Sequence, residues 1–340
     1  MKAKEKAHLT HVEDIFEMNE AYIVYSHDML RRFSKKDMSP LGEVSDYMGA
    51  TSFLMDKDSP YLVELNSLKK LRVRDGKTLE ILSETKEILP FYMPFRACFS
   101  LDGTKLLVLA ANPAGPTYPL FFSSLIREQY DFRLFLLSLP DLSCIKRIET
   151  GDLSFYDIRK VPFLDSYLMT DRKNSHYFLN DFDLVSMASL SLTQGEDENL
   201  LINNVRKEFY LPSKYGIKVY DSRFEEKDSL LLFENEPLSM DSIYRDMFRN
   251  TPSKDGLTVS ETKDFRKYIG EICVFKDDFL LYTINDMLTL TCKVMLYSLK
   301  DKTQQEIVEL CDNVQYLRPF SDGFCFLSKQ NGHIMEVIDG

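Results

Sequence analysis

The chain alternates short apolar runs with polar turns along almost its whole length. In RACFSLDGTKLLVLAA, residues 96–111, an alternating apolar run reaches the turn Ser-Leu-Asp-Gly-Thr-Lys and continues directly into a second apolar run. Asp-Gly between two such runs is a strong local signal for a β-hairpin. The pattern therefore predicts antiparallel strands here, and it raises the question of whether the hairpin is one copy of a repeat.

The hairpin pattern recurs seven times, with turns that centre near positions 19, 56, 102, 165, 206, 277 and 322. Two of the intervals contain insertions, at 112–130 and 236–265. Without them the intervals are 37 to 46 residues, most of them between about 40 and 46, the length of a four-stranded propeller blade. A second hairpin follows in most units, for example KKLRVRDGKTLEIL from residue 69, and its last strand alternates more strongly. In a propeller blade the inner strands are buried on both faces and the outer strand meets water. This difference would make the inner strands uniformly apolar and the outer strands alternating.

The last unit predicts how the ring closes. It offers only three strands, VQYLRPF, GFCFLSK and HIMEVID, before the chain stops at Gly340. Residues 7–12, AHLTHV, precede the first strand of the first unit and form a spare strand. We therefore predict an all-β fold, a single seven-bladed β-propeller over residues 1–340 whose N-terminal strand completes the last blade. Six blades is the alternative, if the weak unit around 199–233 does not pair.

Several of these segments resemble the β-propeller superfamily. FSLDGTKLLVLA is similar to the "SPDG-K-L-V" inner hairpin of bacterial YVTN and TolB-like propellers, and GIKVYDSRFEE and KVMLYSLKDKT are similar to their "I-V-Y-D" outer strands. WD-repeat proteins match less well, because the chain has no Trp and lacks their Gly-His signature. The resemblance covers nearly the whole chain and implies the fold, whereas no catalytic residue of these families maps onto the sequence.

The composition of the chain limits the classes of partner that it can bind. With 53 acidic against 42 basic residues, the net charge of −11 argues against nucleic acid and against anionic membrane surfaces. No window of about 18 apolar residues predicts a membrane span. We expect a cytoplasmic protein if Met1 is the native start, and an exported or lipid-anchored one if the chain is a trimmed precursor.

The six cysteines show no CxxC pair and no zinc-binding spacing. Cys98, Cys273, Cys292 and Cys325 lie in apolar runs, which indicates buried free thiols. Scattered disulfides are the alternative if the protein is exported.

Motifs for chemistry are absent from the sequence. It contains no GxGxxG, GxxxxGK[ST], HExxH or GxSxG. His8 and His11 stand three residues apart in the predicted closing strand, which places them on opposite faces and argues against a metal pair. Acidic turn residues such as Asp56 and Asp58 are typical of turn formation and solubility. We therefore assign no catalytic residue, no metal ligand and no cofactor, and an enzyme is the less favoured class.

The two insertions are the candidate binding elements, because they are richer in aromatic residues and methionine than a solvated loop should be. SMDSIYRDMFRN, 239–250, and LFFSSLIREQY, 120–130, also show helical spacing. In propellers both connections emerge on the top face. The predicted binding residues are Tyr118, Phe121, Phe122, Arg127 and Tyr130 in the first insertion, and Tyr244, Arg245, Met247, Phe248 and Arg249 in the second.

Two interpretations of the insertions are open. They pack on the propeller or on each other, or they form a lid or a partner-binding surface. We expect a non-catalytic binding or scaffold protein whose top-face loops recognise a protein or a small ligand. One alternative is a propeller hydrolase or lactonase with a divalent cation in the central channel. Another is a surface protein that binds sugars or peptides.

Overall fold

The chain forms β-strands throughout its described length. The structure is a computed structural model that describes residues 1–18, 20–26, 29–45, 51–56, 59–66, 70–88, 92–113, 130–148, 155–171, 176–180, 183–185, 200–212, 216–232, 267–286, 291–310, 314–329 and 331–338. In chain order its strands are β1 (Lys2–Leu9), β2 (Asp14–Met18), β3 (Ala21–Ser26), β4 (Met29–Ser34), β5 (Pro40–Ser45), β6 (Thr51–Leu54), β7 (Tyr61–Asn66), β8 (Leu71–Asp75), β9 (Ile81–Thr85), β10 (Met93–Phe99), β11 (Lys105–Pro113), β12 (Tyr130–Ser138), β13 (Cys144–Ile148), β14 (Phe155–Val161), β15 (Ser166–Asp171), β16 (His176–Asn180), β17 (Asp183–Val185), β18 (Leu201–Asn203), β19 (Glu208–Pro212), β20 (Gly216–Tyr220), β21 (Glu226–Leu231), β22 (Lys267–Phe275), β23 (Phe279–Asp286), β24 (Thr291–Ser298), β25 (Thr303–Leu310), β26 (Tyr316–Pro319), β27 (Gly323–Ser328) and β28 (Asn331–Ile338). The one helical element in these ranges is a 3₁₀ turn at Pro162–Leu164.

The strands form seven four-stranded antiparallel sheets, and the fold is that of a seven-bladed β-propeller. Blades one to six take four consecutive strands each, from β2–β5 to β22–β25, and blade seven contains β26, β27, β28 and β1. All seven predicted inner turns join the first and second strands of a blade. The alternative of six blades is wrong, because the weak unit around 199–233 pairs as β18 to β21.

Closure by the N-terminal strand is confirmed. β1 pairs antiparallel with β28, from Lys2 opposite Ile338 to Leu9 opposite Gly332. The strand lies earlier than the predicted residues 7–12, because His11 adopts a positive φ of 56°, which a strand cannot accommodate. Three lysines and one glutamate make up half of KAKEKAHL, so the strand lacks the apolar pattern that marks the others. That composition suits the outermost strand of a sheet.

Contacts divide the chain into two compact units, and the first spans His11–Glu198 with blades one to four. Its core lies between neighbouring sheets. In β11, Leu106 and Val108 pack against blade two, whereas Leu107 and Leu109 pack against blade four. Because successive side chains point to opposite faces of a strand, a strand buried on both faces must be apolar at every position. This explains the uninterrupted run LLVLAA in that strand.

The second unit contains Met1–Thr10 and Asn199–Gly340, with blades five to seven. The same arrangement repeats in β23, where Leu280 and Tyr282 pack against blade five and Leu281 packs against blade seven. Polar links join these blades as well. Asn203 donates a 2.6 Å hydrogen bond to the carbonyl of Asp277, which connects the inner turns of blades five and six.

A common turn joins the third and fourth strands of most blades. In each case one residue after the third strand adopts a left-handed φ of 54° to 63°, and the fourth strand then pairs with a β-bulge. A serine or aspartate precedes it by three or four residues. The left-handed residues are Met38, Leu79, Leu142, Phe224 and Lys302. This turn is the structural basis of the outer hairpins that the sequence predicts.

Candidate binding surface

The first insertion leaves blade three from a stem that is paired to its end. β11 and β12 pair without interruption from Lys105 opposite Ser138 to Pro113 opposite Tyr130. Paired strands buried between two sheets open rarely, so this stem fixes both ends of the insertion. The strands also extend into the predicted insertion at both ends, which leaves residues 114–129 as the connecting segment.

The second insertion starts from blade five and returns in blade six. β21 ends at Leu231, whose side chain is 63 % exposed, and the following Leu232 is fully buried. The chain enters β22 at Lys267, which pairs with Asp286 of β23. The insertion therefore starts after a paired strand of blade five and returns to a paired strand of blade six.

The predicted contact residues fall mostly outside the described residues. This applies to Tyr118, Phe121, Phe122, Arg127, Tyr244, Arg245, Met247, Phe248 and Arg249, whose roles stay predictions. Only the backbone of Tyr130 is described, and it begins β12. The helix predicted over 120–130 is therefore wrong at its last residue, while 120–129 and the helix predicted over 239–250 lie outside the described residues.

A buried polar cluster lies close to the stem of the first insertion, where β15 ends and β16 begins. Thr170 Oγ1 and His176 Nδ1 share a 3.1 Å hydrogen bond. Tyr177 donates its hydroxyl to Asp171 at 3.3 Å, and its ring packs edge-on against Phe155. The same apolar cluster that holds Phe155 also holds residues 109 and 134 of the stem. The cluster therefore supplies hydrogen-bonding groups beside the base of the insertion.

A second polar cluster lies beside the base of the second insertion. Asn285 stands opposite residue 268 on β22, is 4 % exposed, and has a side-chain oxygen with no hydrogen-bond partner among the described residues. The hydroxyl of Thr283 accepts the backbone N–H of Glu271 at 2.8 Å. The absence of a side chain at Gly270 leaves room for both polar groups. A Cβ there would lie 2.8 Å from the Thr283 hydroxyl and 2.3 Å from the amide nitrogen of Asn285.

The carboxyl group of Glu271, whose backbone N–H belongs to this cluster, has a raised pKa, because burial disfavours its charged form. Neither cluster is predicted from the sequence. The available signal was polar residues on second strands that are otherwise apolar, as in FLLYTIND.

A partly buried ion pair links the first strand of blade four to the inner turn of blade two. Lys160 Nζ on β14 lies 2.7 Å from Asp56 Oδ2 in the inner turn of blade two, and both side chains are less than a fifth exposed. Asp56 therefore does more than form a turn, since its carboxylate is committed to the lysine. Burial raises the pKa of the nearby Cys98 thiol to about 12, so this thiol is protonated at neutral pH.

The other described cysteines are also free. Cys273, Cys292 and Cys325 are buried, as the sequence predicts, whereas Cys98, also predicted to be buried, is free but only partly buried, and Cys144 is exposed. Burial raises the pKa of the Cys273 and Cys292 thiols as well. A protonated thiol is a poor nucleophile, so Cys98, Cys273 and Cys292 are unsuited to covalent catalysis at neutral pH.

Comparison with known protein families and with curated proteins finds no match for the chain. The β-propeller architecture is what it shares with known proteins, and the likeness of its repeats to the YVTN and TolB-like type stays a prediction. In the described part of the chain, no helix is long and apolar enough to cross a membrane.

Proposed function

We propose that this protein is a non-catalytic binding module in which the two insertions recognise a protein partner. The main support for the proposal is the contrast between the irregular insertions and the regular paired strands that flank them. Each insertion interrupts an otherwise regular repeat, yet each starts and ends on paired strands of a blade. Long loops on a rigid scaffold commonly carry function.

The chemistry of the insertions supports a protein rather than a small molecule as the partner. Aromatic residues, methionine and arginine are the residue types enriched at the centres of protein interfaces. The first insertion carries Phe121, Phe122 and Arg127, and the second carries Tyr244 and Phe248.

The proposal is tested with one triple variant for each insertion. The first carries alanine at Tyr118, Phe121 and Phe122, and the second carries alanine at Tyr244, Met247 and Phe248. Partners are identified by cross-linking and mass spectrometry and then purified, and each affinity is measured with the purified proteins. We expect at least one triple variant to bind the partner roughly tenfold or more weakly.

A matched control carries alanine at Leu41 and Ile81, which are exposed apolar residues on the fourth strands of blades one and two. We expect this control to bind the partner as the wild type does. The insertions are not the recognition elements if both triple variants bind the partner as tightly as the wild type does. The same conclusion follows if the control loses as much affinity as the triple variants. All variants are compared by circular dichroism and thermal unfolding, so that a folding defect is recognised as such.

A further inference from the structure

The closing strand pair brings three metal-ligating side chains together. His8 on β1 stands directly opposite His333 on β28, and Glu5 lies on the same strand as His8. Among the described residues, these three each offer one ligand atom, and the three atoms lie within 4.8 Å of one another. The residues come from the two ends of the chain, so the cluster exists only when the N-terminal strand is paired.

A β-bulge places Glu5 in this cluster. The register shifts between Glu5 and Ala7, so that Glu5 pairs with Met335 and Ala7 pairs with Ile334. In a regular strand, residues 5 and 8 would point to opposite faces. The extra residue in the bulge turns Glu5 to the face that carries both histidines. The intervening Lys6 pairs instead with Asp322 at 3.4 Å.

The ring of His333 is held in place from both sides. Phe326 stacks on one side with 4.5 Å between ring centroids, and His8 stacks on the other with 4.4 Å. His333 Nδ1 lies 2.7 Å from Glu5 Oε1. The imidazole is 19 % exposed and the carboxylate 47 %, so solvent reaches the cluster while its central ligand keeps its orientation.

We propose that Glu5, His8 and His333 bind a divalent transition-metal ion of the zinc type. Two imidazole nitrogens and one carboxylate oxygen are ligands that zinc prefers, with water in the fourth position. Tetrahedral zinc needs its ligand atoms about 3.4 Å apart, which small side-chain rotations from the present spacing provide. The ion links β1 to β28, and it therefore stabilises the closed ring relative to any state in which the N-terminal strand has detached.

The test uses the full chain freed of metal by chelation. Zinc binding is followed by calorimetry, and coordination is followed by the visible absorption of added cobalt. We expect one zinc ion per chain and an unfolding temperature that rises with zinc. We also expect Glu5→Gln, His8→Gln and His333→Gln each to weaken binding, by roughly 100-fold for a lost histidine, and to abolish the zinc-dependent rise.

His11→Gln is the matched control, because His11 stands three residues after His8 and lies outside the cluster. It should bind zinc and respond to it as the wild type does. Glu5→Gln and His8→Gln change exposed side chains, so they test binding even if His333→Gln disturbs folding. The proposal is overturned if the wild type binds no zinc at a free concentration on the order of 100 µM, or if Glu5→Gln and His8→Gln bind as tightly as the control.

Discussion

Glu208 is a buried carboxylate that three side chains keep charged. It accepts hydrogen bonds from the hydroxyl of Tyr210 at 2.7 Å, from Arg206 Nε at 3.1 Å and from Lys227. Burial by itself raises the pKa of this carboxyl, but the hydrogen bonds from Lys227, Tyr210 and Arg206 outweigh it, and the pKa is lowered. The group therefore links the second strand of blade five to its fourth strand through charge.

We expect Glu208→Gln to lower the free energy of unfolding at pH 7 by about 2 kcal/mol, because hydrogen bonds to a charged group are lost. The folded pKa lies below the unfolded value of about 4.3, so the carboxylate stabilises the fold above that pH and stops doing so as the pH falls through the folded pKa. Urea unfolding at pH 7, 5 and 3 measures this.

The difference between wild type and Glu208→Gln should shrink towards pH 3. Glu226→Gln is the control, since Glu226 is a half-exposed partner of Lys218 and its loss should cost under about 1 kcal/mol. A difference between wild type and Glu208→Gln that stays constant from pH 7 to pH 3 would contradict this account of the charge.

Gly323 has no room for a side chain. A Cβ at this position would lie 1.8 Å from the carbonyl oxygen of Met335 on the neighbouring β28. Because the obstructing atom belongs to the backbone, the strand pair itself must move. We expect Gly323→Ala to cost at least about 3 kcal/mol in chemical denaturation. Ser328→Ala, at the other end of β27, should cost under about 1 kcal/mol, and comparable losses in the two variants would argue against a steric cause.

At the scale of elements, the turns are the best predicted feature of the chain. Asp102-Gly103 forms the inner turn of blade three, as its sequence indicates. The carboxylate of Asp102 accepts hydrogen bonds from the hydroxyl of Ser100 and from the backbone N–H of Thr104. These two bonds, the one from Ser100 more strongly, hold the pKa of the Asp102 carboxyl well below its usual range. Such local hydrogen bonds depend on residues a few positions apart, so a short window of sequence is enough to predict them.

Elements that depend on distant residues could not be predicted in the same way. β1 reads as a charged N-terminal segment, because the strand that supports it is β28 at the other end of the chain. The bulge that reorients Glu5 and the stacking of His8 on His333 leave no mark in the local sequence. To predict the polar clusters at Thr170 and Asn285, one must know which residues stand opposite each other on paired strands. The alternation of apolar and polar residues does not give this register.

We expect a variant that lacks residues 2–9 to melt at a temperature lower by more than about 5 °C and to self-associate with increasing concentration. Removal of β1 leaves the outer edge of β28 unpaired, and an unpaired edge recruits other strands. It also uncovers the apolar cluster on which Ala3 packs. Thermal unfolding and light scattering after size exclusion measure both effects.

A substitution control for that deletion is Lys2→Gln with Lys4→Gln. Both lysines are exposed on β1, so the strand and its pairing should persist. We expect this double variant to elute from size exclusion as the wild type does, with a melting temperature close to that of the wild type. A monomeric deletion variant that melts as the wild type does would mean that β1 adds little to the fold.

For the whole molecule, the regular blades and the insertions should be separable. Because residues 113 and 130 are already paired across the stem, an Asn-Gly turn can replace residues 114–129. We expect this variant to fold, with a melting temperature within about 3 °C of the wild type, since a shorter loop costs less closure entropy. Circular dichroism and calorimetry provide the measurement.

The matched variant extends the excision to residues 110–133, which removes four stem pairs and buried residues as well. It should melt at a clearly lower temperature. If the excision of 114–129 alone is equally damaging, the insertion belongs to the packing of the fold, and the interpretation of it as a recognition element fails.

Completion of blade seven by β1 also sets an order of events during synthesis. The partner of Glu5 lies 328 residues further along the chain. At about 5 to 20 residues per second, the ribosome releases β28 roughly 20 to 70 s after it has made β1. Through that interval the N-terminal strand has no partner on this chain, and its three lysines and one glutamate disfavour its pairing with a foreign sheet. The charged composition that makes this strand hard to recognise in the sequence is therefore well suited to keeping it unpaired until β28 emerges.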